Sequence, residues 1–258
     1  MFKNQRHSEI LDILKHESFA SVKDLSDRLY ASQPTIRRDL NYLEKQGLVK
    51  RSHGGVILAD DQINTPLPFR KSKKAKEKIQ ICKLASSLIA PGSLVFIDAS
   101  STAAHLADII SPKDNITVVT NGFPICRTLV EREINLFSTG GRLLKSSMAF
   151  VGNQAEATVK RFNADIMFFS ASSLSENGVI SDYSEEETEL RRVMHDGSKT
   201  SVFLFDSTKF SKSSAFRLFS LSEIDYIVTD FYLPQQIETD YNFKLKESSD
   251  GAYMYQKK

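Results

Sequence analysis

Apolar residues recur at helical intervals in three short stretches at the start of the chain. Ile10, Leu11 and Leu14 mark the first, Val22, Leu25 and Leu29 the second, and Ile36, Leu40 and Leu43 the third. Ser21, with Asp24 three residues on, makes a variant capping box ahead of the second stretch. Ser32 is an N-cap for the third, and Pro34 is tolerated in its first turn because that amide has no partner within the helix. Gly47 ends it. The segment from Leu48 to Leu58 then reads as two short strands around Gly54 and Gly55. Three helices and a hairpin predict a winged helix-turn-helix.

Residues 59–71 break the pattern with Asp60, Asp61, Asn64, Pro66 and Pro68, the chemistry of a linker. One long helix is predicted from about Ser72 to Ile89, with Lys71, Lys73, Lys74, Lys76 and Lys78 near its start. Beyond it, short β-rich runs alternate with amphipathic stretches. The runs are Leu94–Asp98, Ile116–Thr120, Ile134–Ser138, Asp165–Ser170, Ser201–Asp206 and Tyr226–Asp230. Such alternation predicts a mostly parallel α/β sheet covered by helices. The expected organisation is a winged helix-turn-helix module over 1–58, a linker over 59–71, an α/β domain over 72–235 and a tail over 236–258. The polar end from Lys244 to Lys258 is expected to fray.

Composition narrows the class. With 41% hydrophobic and 26% charged residues, the 258-residue chain has the make-up of a globular protein with a sizeable core. Cys82 and Cys126 have no metal-ligand spacing and are too few for a disulfide scaffold. The start is polar, and no apolar run approaches the ~20 residues of a membrane span, so a cytoplasmic location is expected. The net charge of +2 is unevenly placed: residues 1–80 hold 16 Lys/Arg against 10 Asp/Glu, and the remainder 18 against 22. A basic first third on a mildly acidic remainder suits a polyanion-binding module joined to something different.

The third helix carries chemistry for such a partner. With Ile36, Leu40 and Leu43 turned inward, Gln33, Thr35, Arg37, Arg38, Asn41 and Tyr42 lie on or near its outer face. Arginine forks onto guanine, glutamine and asparagine pair with adenine, and threonine and tyrosine hold phosphates. Lys50, Arg51 and His53, beside Gly54 and Gly55, suit a wing pressed against the DNA backbone or minor groove. Taken alone, Arg37 and Arg38 equally suit a solvated helix face with Asp39 as their local partner. The compact triad and basic hairpin favour DNA.

The segment Ser32-Gln33-Pro34-Thr35-Ile36-Arg37-Arg38-Asp39-Leu40, followed by Arg51-Ser52-His53-Gly54-Gly55, resembles the DNA-binding domain of the DeoR family of bacterial transcription regulators. The resemblance covers Arg6 to Leu58 most specifically and continues to about Asp230. It implies a repressor-type regulator of carbohydrate metabolism that binds operator DNA as a homodimer or higher homo-oligomer. It also implies a sensor domain related to ribose-5-phosphate isomerase and CoA-transferase-like folds, which binds a phosphorylated sugar or related metabolite and needs no cofactor.

Four loops match the family's sensor positions: Asp98, Ser100, Ser101 and Thr102; Thr120, Asn121 and Gly122; Gly140, Gly141 and Arg142; and Asp206 to Phe210 with Lys209. Loops leaving the carboxyl ends of parallel strands are where such sheets bind ligands, and hydroxyls with glycine amides make an anion cradle. In this reading Asp98 and Asn121 take sugar hydroxyls while Lys209 faces the phosphate. The serines and threonine equally suit a helix cap, and Gly140-Gly141 a plain turn. Glu187 and Arg191, four apart, equally suit a surface ion pair. Ser100, Ser170 and Ser173 stand where the family commonly has glycine, which narrows the ligand space or adds hydroxyl donors. The rival function is a sugar-phosphate isomerase or transferase carrying a DNA-binding domain, with Asp98 or Glu187 as base. Against it, the five histidines and two cysteines form no catalytic or metal-ligand constellation in the sequence.

Overall fold

The computed structural model describes residues 2–17, 19–52, 55–58 and 67–258. It divides into two compact units, Met1–Lys73 and Lys74–Lys258.

In the first unit, α1 (Lys3–Glu17), the two-residue strand β1 (Ala20–Ser21), α2 (Val22–Arg28) and α3 (Gln33–Lys45) precede the hairpin β2 (Val49–Ser52) and β3 (Gly55–Leu58). The predicted apolar positions, from Ile10 to Leu43, meet in one core closed by Val49 and Val56. The Ser21–Asp24 capping box is present, and Gly47 adopts φ 71 as the left-handed residue that ends α3. The hairpin gains β1 as a third antiparallel strand, in the order β1-β3-β2. Gly55 is needed for that pairing. A Cβ there would lie 2.4 Å from the Ala20 carbonyl oxygen of β1.

Two boundaries differ from expectation. Of the expected linker, residues 59–66 lie outside the described residues, and Leu67–Ser72 form a short helix, α4, with Leu67 buried. The helix expected over 72–89 is shorter at both ends, α5 (Ala75–Ser86) in the second unit. Lys74, its N-cap at φ 56, stops it from reaching back to Ser72.

The second unit continues with β4 (Leu94–Ile97), β5 (Thr117–Thr120), α6 (Phe123–Glu131), β6 (Asn135–Ser138), the hairpin β7 (Arg142–Leu144) and β8 (Ala149–Val151), and α7 (Asn153–Val159). Then come β9 (Ile166–Phe169), β10 (Ser173–Leu174), β11 (Val179–Asp182), α8 (Glu185–Asp196), β12 (Ser201–Phe205), β13 (Phe216–Ser220) and β14 (Tyr226–Thr229). The chain closes with α9 (Gln235–Asp240), β15 (Phe243–Ser249) and β16 (Ala252–Lys257). All six predicted β-rich runs lie in one eight-stranded sheet of order β15-β16-β14-β12-β9-β4-β5-β6. From β14 to β6 every pairing is parallel. Numbered along the chain, those six strands have the doubly wound order 3-2-1-4-5-6, which reverses between β4 and β9.

Residues of the sheet alternate between two apolar layers. Val95, Ile97, Phe168 and Leu204 face the side of α5 and α6, while Phe96, Met167, Phe169, Phe203 and Phe205 face the side of α7 and α8. Strands covered on both faces read as continuous apolar runs, as Ile166–Phe169 does. The end of the chain is part of this sheet rather than a frayed tail. β16 pairs antiparallel with β14, and Ala252, Met254 and Tyr255 are buried, while β15 is a solvent-facing edge. The lysines and glutamate that made the segment look like a tail, Lys244, Lys246 and Glu247, lie along that edge, where charge blocks further pairing.

Candidate nucleic-acid interface and sensor site

α3 turns Ile36, Leu40 and Leu43 inward and leaves Ser32, Gln33, Arg37, Arg38 and Asn41 exposed, with Thr35 half-buried. Asp39 is not the partner of these arginines, and Arg38 Nε donates instead to the Pro34 carbonyl at 3.3 Å. Asp39 is buried and faces α1, accepting from Arg6 Nε at 2.5 Å and pairing with His7 Nε2 at 2.9 Å. Burial alone would raise its carboxyl, but the hydrogen bonds from Arg6 and His7 outweigh that and hold it below the ordinary range. The clamp sets the roll of α3 against α1.

Tyr42 is partly exposed but stacks on His7, and Lys3 lies over its ring at 4.6 Å. Lys50 is exposed on β2. Arg51 is turned back onto α3: its guanidinium donates to Asn41 Oδ1 and sits 3.4 Å from Glu44 Oε2. The expected wing contact at Arg51 is therefore a strap between hairpin and helix in the free protein. His53 and Gly54 lie outside the described residues. Sequence reasoning missed the Asp39 clamp. A buried aspartate beside two arginines reads as a local ion pair until the packing of α1 is known.

In the second unit, the loops after β4, β5, β6, β9 and β12 leave the same end of the parallel sheet. Those after β4 and β9 flank the point where strand order reverses. Here Arg191 of α8, almost wholly buried, gathers three carboxylates: Asp98 at 2.6 Å, Asp182 at 2.7 Å and Glu187 at 3.1 Å. Burial opposes its charge, but the three carboxylates prevail and raise the guanidinium well above its ordinary range. Asp182 is in turn held low against its own burial by Arg191, Ser172 and the Tyr183 amide. Glu187 and Arg191 thus form no surface pair. Asp98, expected to meet sugar hydroxyls, has both oxygens engaged, since Oδ1 accepts the Ser100 amide.

Beside this cluster sit two lysines. Lys209 donates to Ser170 Oγ at 2.7 Å, and buried Lys78 donates to Ser101 Oγ at 3.3 Å and lies 3.9 Å from Asp206. Against desolvation, both lysines draw the Asp206 carboxyl below its ordinary range. Ser100 caps the turn that follows, accepting the Ala103 amide, as the helix-cap alternative had it. Thr102 Oγ1 is buried with no hydrogen-bond partner. Thr120 accepts the Gly122 amide, and Asn121 ties two loops by accepting from the Ala99 amide and donating to the Phe150 carbonyl. Gly140 and Gly141 adopt φ 62 and 106, and Arg142 pairs at the exposed rim with Glu186. Sequence reasoning left Asp182 out altogether, and read Lys78 only as part of a lysine run, Arg191 only as a partner for Glu187, and Asp206 only as the start of the Lys209 loop. Among the described residues no group of His, Cys, Asp and Glu is placed to hold a metal, and no helix is long and apolar enough to cross a membrane.

A helix-turn-helix with an exposed arginine-bearing third helix, joined to a doubly wound domain with polar loops at its switch point, is the architecture of a DNA-binding regulator. Comparison with known families agrees: residues 6–62 match the DeoR-like helix-turn-helix domain and residues 73–231 the DeoR C-terminal sensor domain. The chain belongs to the DeoR family of transcription regulators.

Among its relatives, the lactose phosphotransferase system repressor of Lactococcus lactis subsp. lactis is 35% identical over 246 residues, covering 92% of this chain and 95% of that one. The glycerol-3-phosphate regulon repressor of Escherichia coli (strain K12) is 28% identical over 250 residues, covering 95% and 99%. Among solved structures, ribose 5-phosphate isomerase A from Methanocaldococcus jannaschii aligns with 13% identity over 71% of this chain and 79% of that one, at a TM-score of 0.41.

Proposed function

We propose that this regulator represses a carbohydrate-metabolism operon in the cytoplasm, binding its operator as a homodimer or higher homo-oligomer and releasing it when a phosphorylated sugar fills the sensor site. The observation that carries the reading is the polarity of the switch-point cluster. On one side Lys78 and Lys209 share Asp206 and stand beside the hydroxyls of Ser101 and Ser170, a setting for a phosphate. On the other, three carboxylates surround one guanidinium, and Glu187 Oε1 keeps acceptor capacity for a sugar hydroxyl. Ser100, Thr120, Gly140, Gly141 and Arg142 complete the rim, with Asp98, Asn121 and Glu187 holding the loops in place. The names of the two relatives, one a glycerol-3-phosphate regulon repressor, support the same class of signal.

In this reading residues 1–58 read DNA through Arg37, Arg38, Gln33 and Asn41, and the domain from 74 onward senses the metabolite without turning it over. Ligand and operator must favour different arrangements of the oligomer, since a ligand with equal affinity for both shifts nothing. The test is a DNA-binding titration with candidate sugar phosphates and their unphosphorylated parents, run on the full chain and on Lys209→Ala. Release by a phosphorylated compound alone, lost in K209A with operator affinity intact, is the expected result. Equal effects of phosphate and parent, or turnover of an aldose phosphate, would overturn it, as would sedimentation showing only monomer with and without DNA.

A further inference from the structure

The turn between α2 and α3 has an occupant that its backbone does not favour. Leu29 caps α2, Tyr30 follows in the left-handed region at φ 48, and the Ala31 amide returns to the Ser26 carbonyl at 3.2 Å. That six-to-one bond is the closure of a Schellman motif, whose left-handed position is normally given to glycine or asparagine because a larger side chain crowds its own backbone there. Ser26 Oγ also donates to the Ala31 carbonyl at 2.6 Å, so both polar groups of Ala31 are held and the turn is stiff.

Burial does not offset the strain. Tyr30 is 97% exposed, more than any other large apolar or aromatic side chain of the described residues. Its ring and hydroxyl engage no other group among them. The other tyrosine of this unit, Tyr42, is by contrast stacked on His7 and covered by Lys3. Strain retained on an exposed side chain points to a partner outside the chain. Two residues on, Ser32 opens α3, and the exposed Gln33 and Arg37 begin its DNA-facing side.

We propose that Tyr30 is a DNA-backbone contact, its phenol donating to a phosphate oxygen at the lip of the groove that α3 enters, with the ring against the adjoining sugar. The contact orients the helix and carries no base information. It extends the predicted interface beyond α3 and the wing, and it relies on a neutral donor rather than on charge.

The test compares full-length Tyr30→Asn and Tyr30→Phe with the parent. The probes are a duplex enriched from a random-sequence pool by the parent chain and an unrelated duplex of equal length. Y30N, free of the backbone conflict, should unfold at a higher temperature yet bind both duplexes about tenfold more weakly. Y30F should keep the parent's unfolding temperature and lose about threefold to tenfold on both. The slope of log affinity against log salt should not change, because no charge is removed. Binding of Y30N within twofold of the parent on both duplexes would overturn the proposal. So would a loss confined to the enriched duplex, which would mean base reading, or a fall in the Y30N unfolding temperature, which would make the ring a structural element.

Discussion

Replacing Arg191 by alanine removes one guanidinium and leaves three carboxylates facing each other at the switch point. In the parent those contacts span 2.6–3.1 Å, and the Arg191 side chain is only 5% exposed. Removing one partner of a buried pair costs about 3–5 kcal/mol, because the remaining charge is left without compensation. For a unit of this size that lowers the unfolding midpoint by about 6–20 °C. The loss must also depend on pH. In the parent the Asp182 carboxyl lies below its unfolded value, so its contribution is complete above the unfolded value and fades as pH falls through the folded one. In the variant Asp182 loses its Arg191 partner and faces two other carboxylates, so its charged form penalises folding once pH exceeds the unfolded value. The difference between parent and variant is therefore largest near pH 7 and shrinks toward pH 4. Thermal unfolding of the full chain, followed at pH 7, 5.5 and 4, reads both effects. A second variant, Arg191→Ala with Asp98→Asn, should lose less than the sum of its parts. A sensor transition within about 1 kcal/mol of the parent at pH 7, or a deficit that grows on acidification, would refute the argument.

Arg37→Ala and Arg38→Ala should each weaken binding of a specific duplex by about 1–3 kcal/mol if the side chain reads a base, measured by anisotropy titration at fixed salt. Asp39→Ala, which strips Arg6 and His7 of their shared partner, should destabilise the first unit by about 3 kcal/mol. The parent's share of that stability, complete above the unfolded Asp39 value, should fade as acidification passes the lowered folded value, a trend that urea melts at several pH values would show. Gly141→Ala should cost at least about 1–3 kcal/mol, since φ is 106 and a Cβ would lie 2.7 Å from the Val151 carbonyl oxygen; calorimetry would detect it.

Local pattern determined much of this protein. Capping at Ser21, the left-handed stop at Gly47 and the inward stripe of α3 depend on residues within a turn of one another, and the sequence displays them directly. Five of the six parallel strands were legible for a similar reason, because strands buried on both faces must be continuously apolar, whereas β6 is a mostly exposed edge strand. The arginines of α3 were legible as exposed, although the partners of Asp39 were not. Asp39 is paired across 32 and 33 positions with His7 and Arg6, a choice made by the packing of α1. The switch-point cluster was hidden in the same way. Glu187 and Arg191 have the spacing of any solvated helical pair, and only the sheet order brings Asp98, 93 positions away, against them. A polar strand at a sheet edge looks like a loose end until its partner is known, which is why β15 and β16 read as a tail. Spacing along the chain specifies which face of an element a residue occupies. Whether that face meets water, apolar side chains or a charge from a distant segment is decided by burial and strand order, and those arise only when the elements assemble.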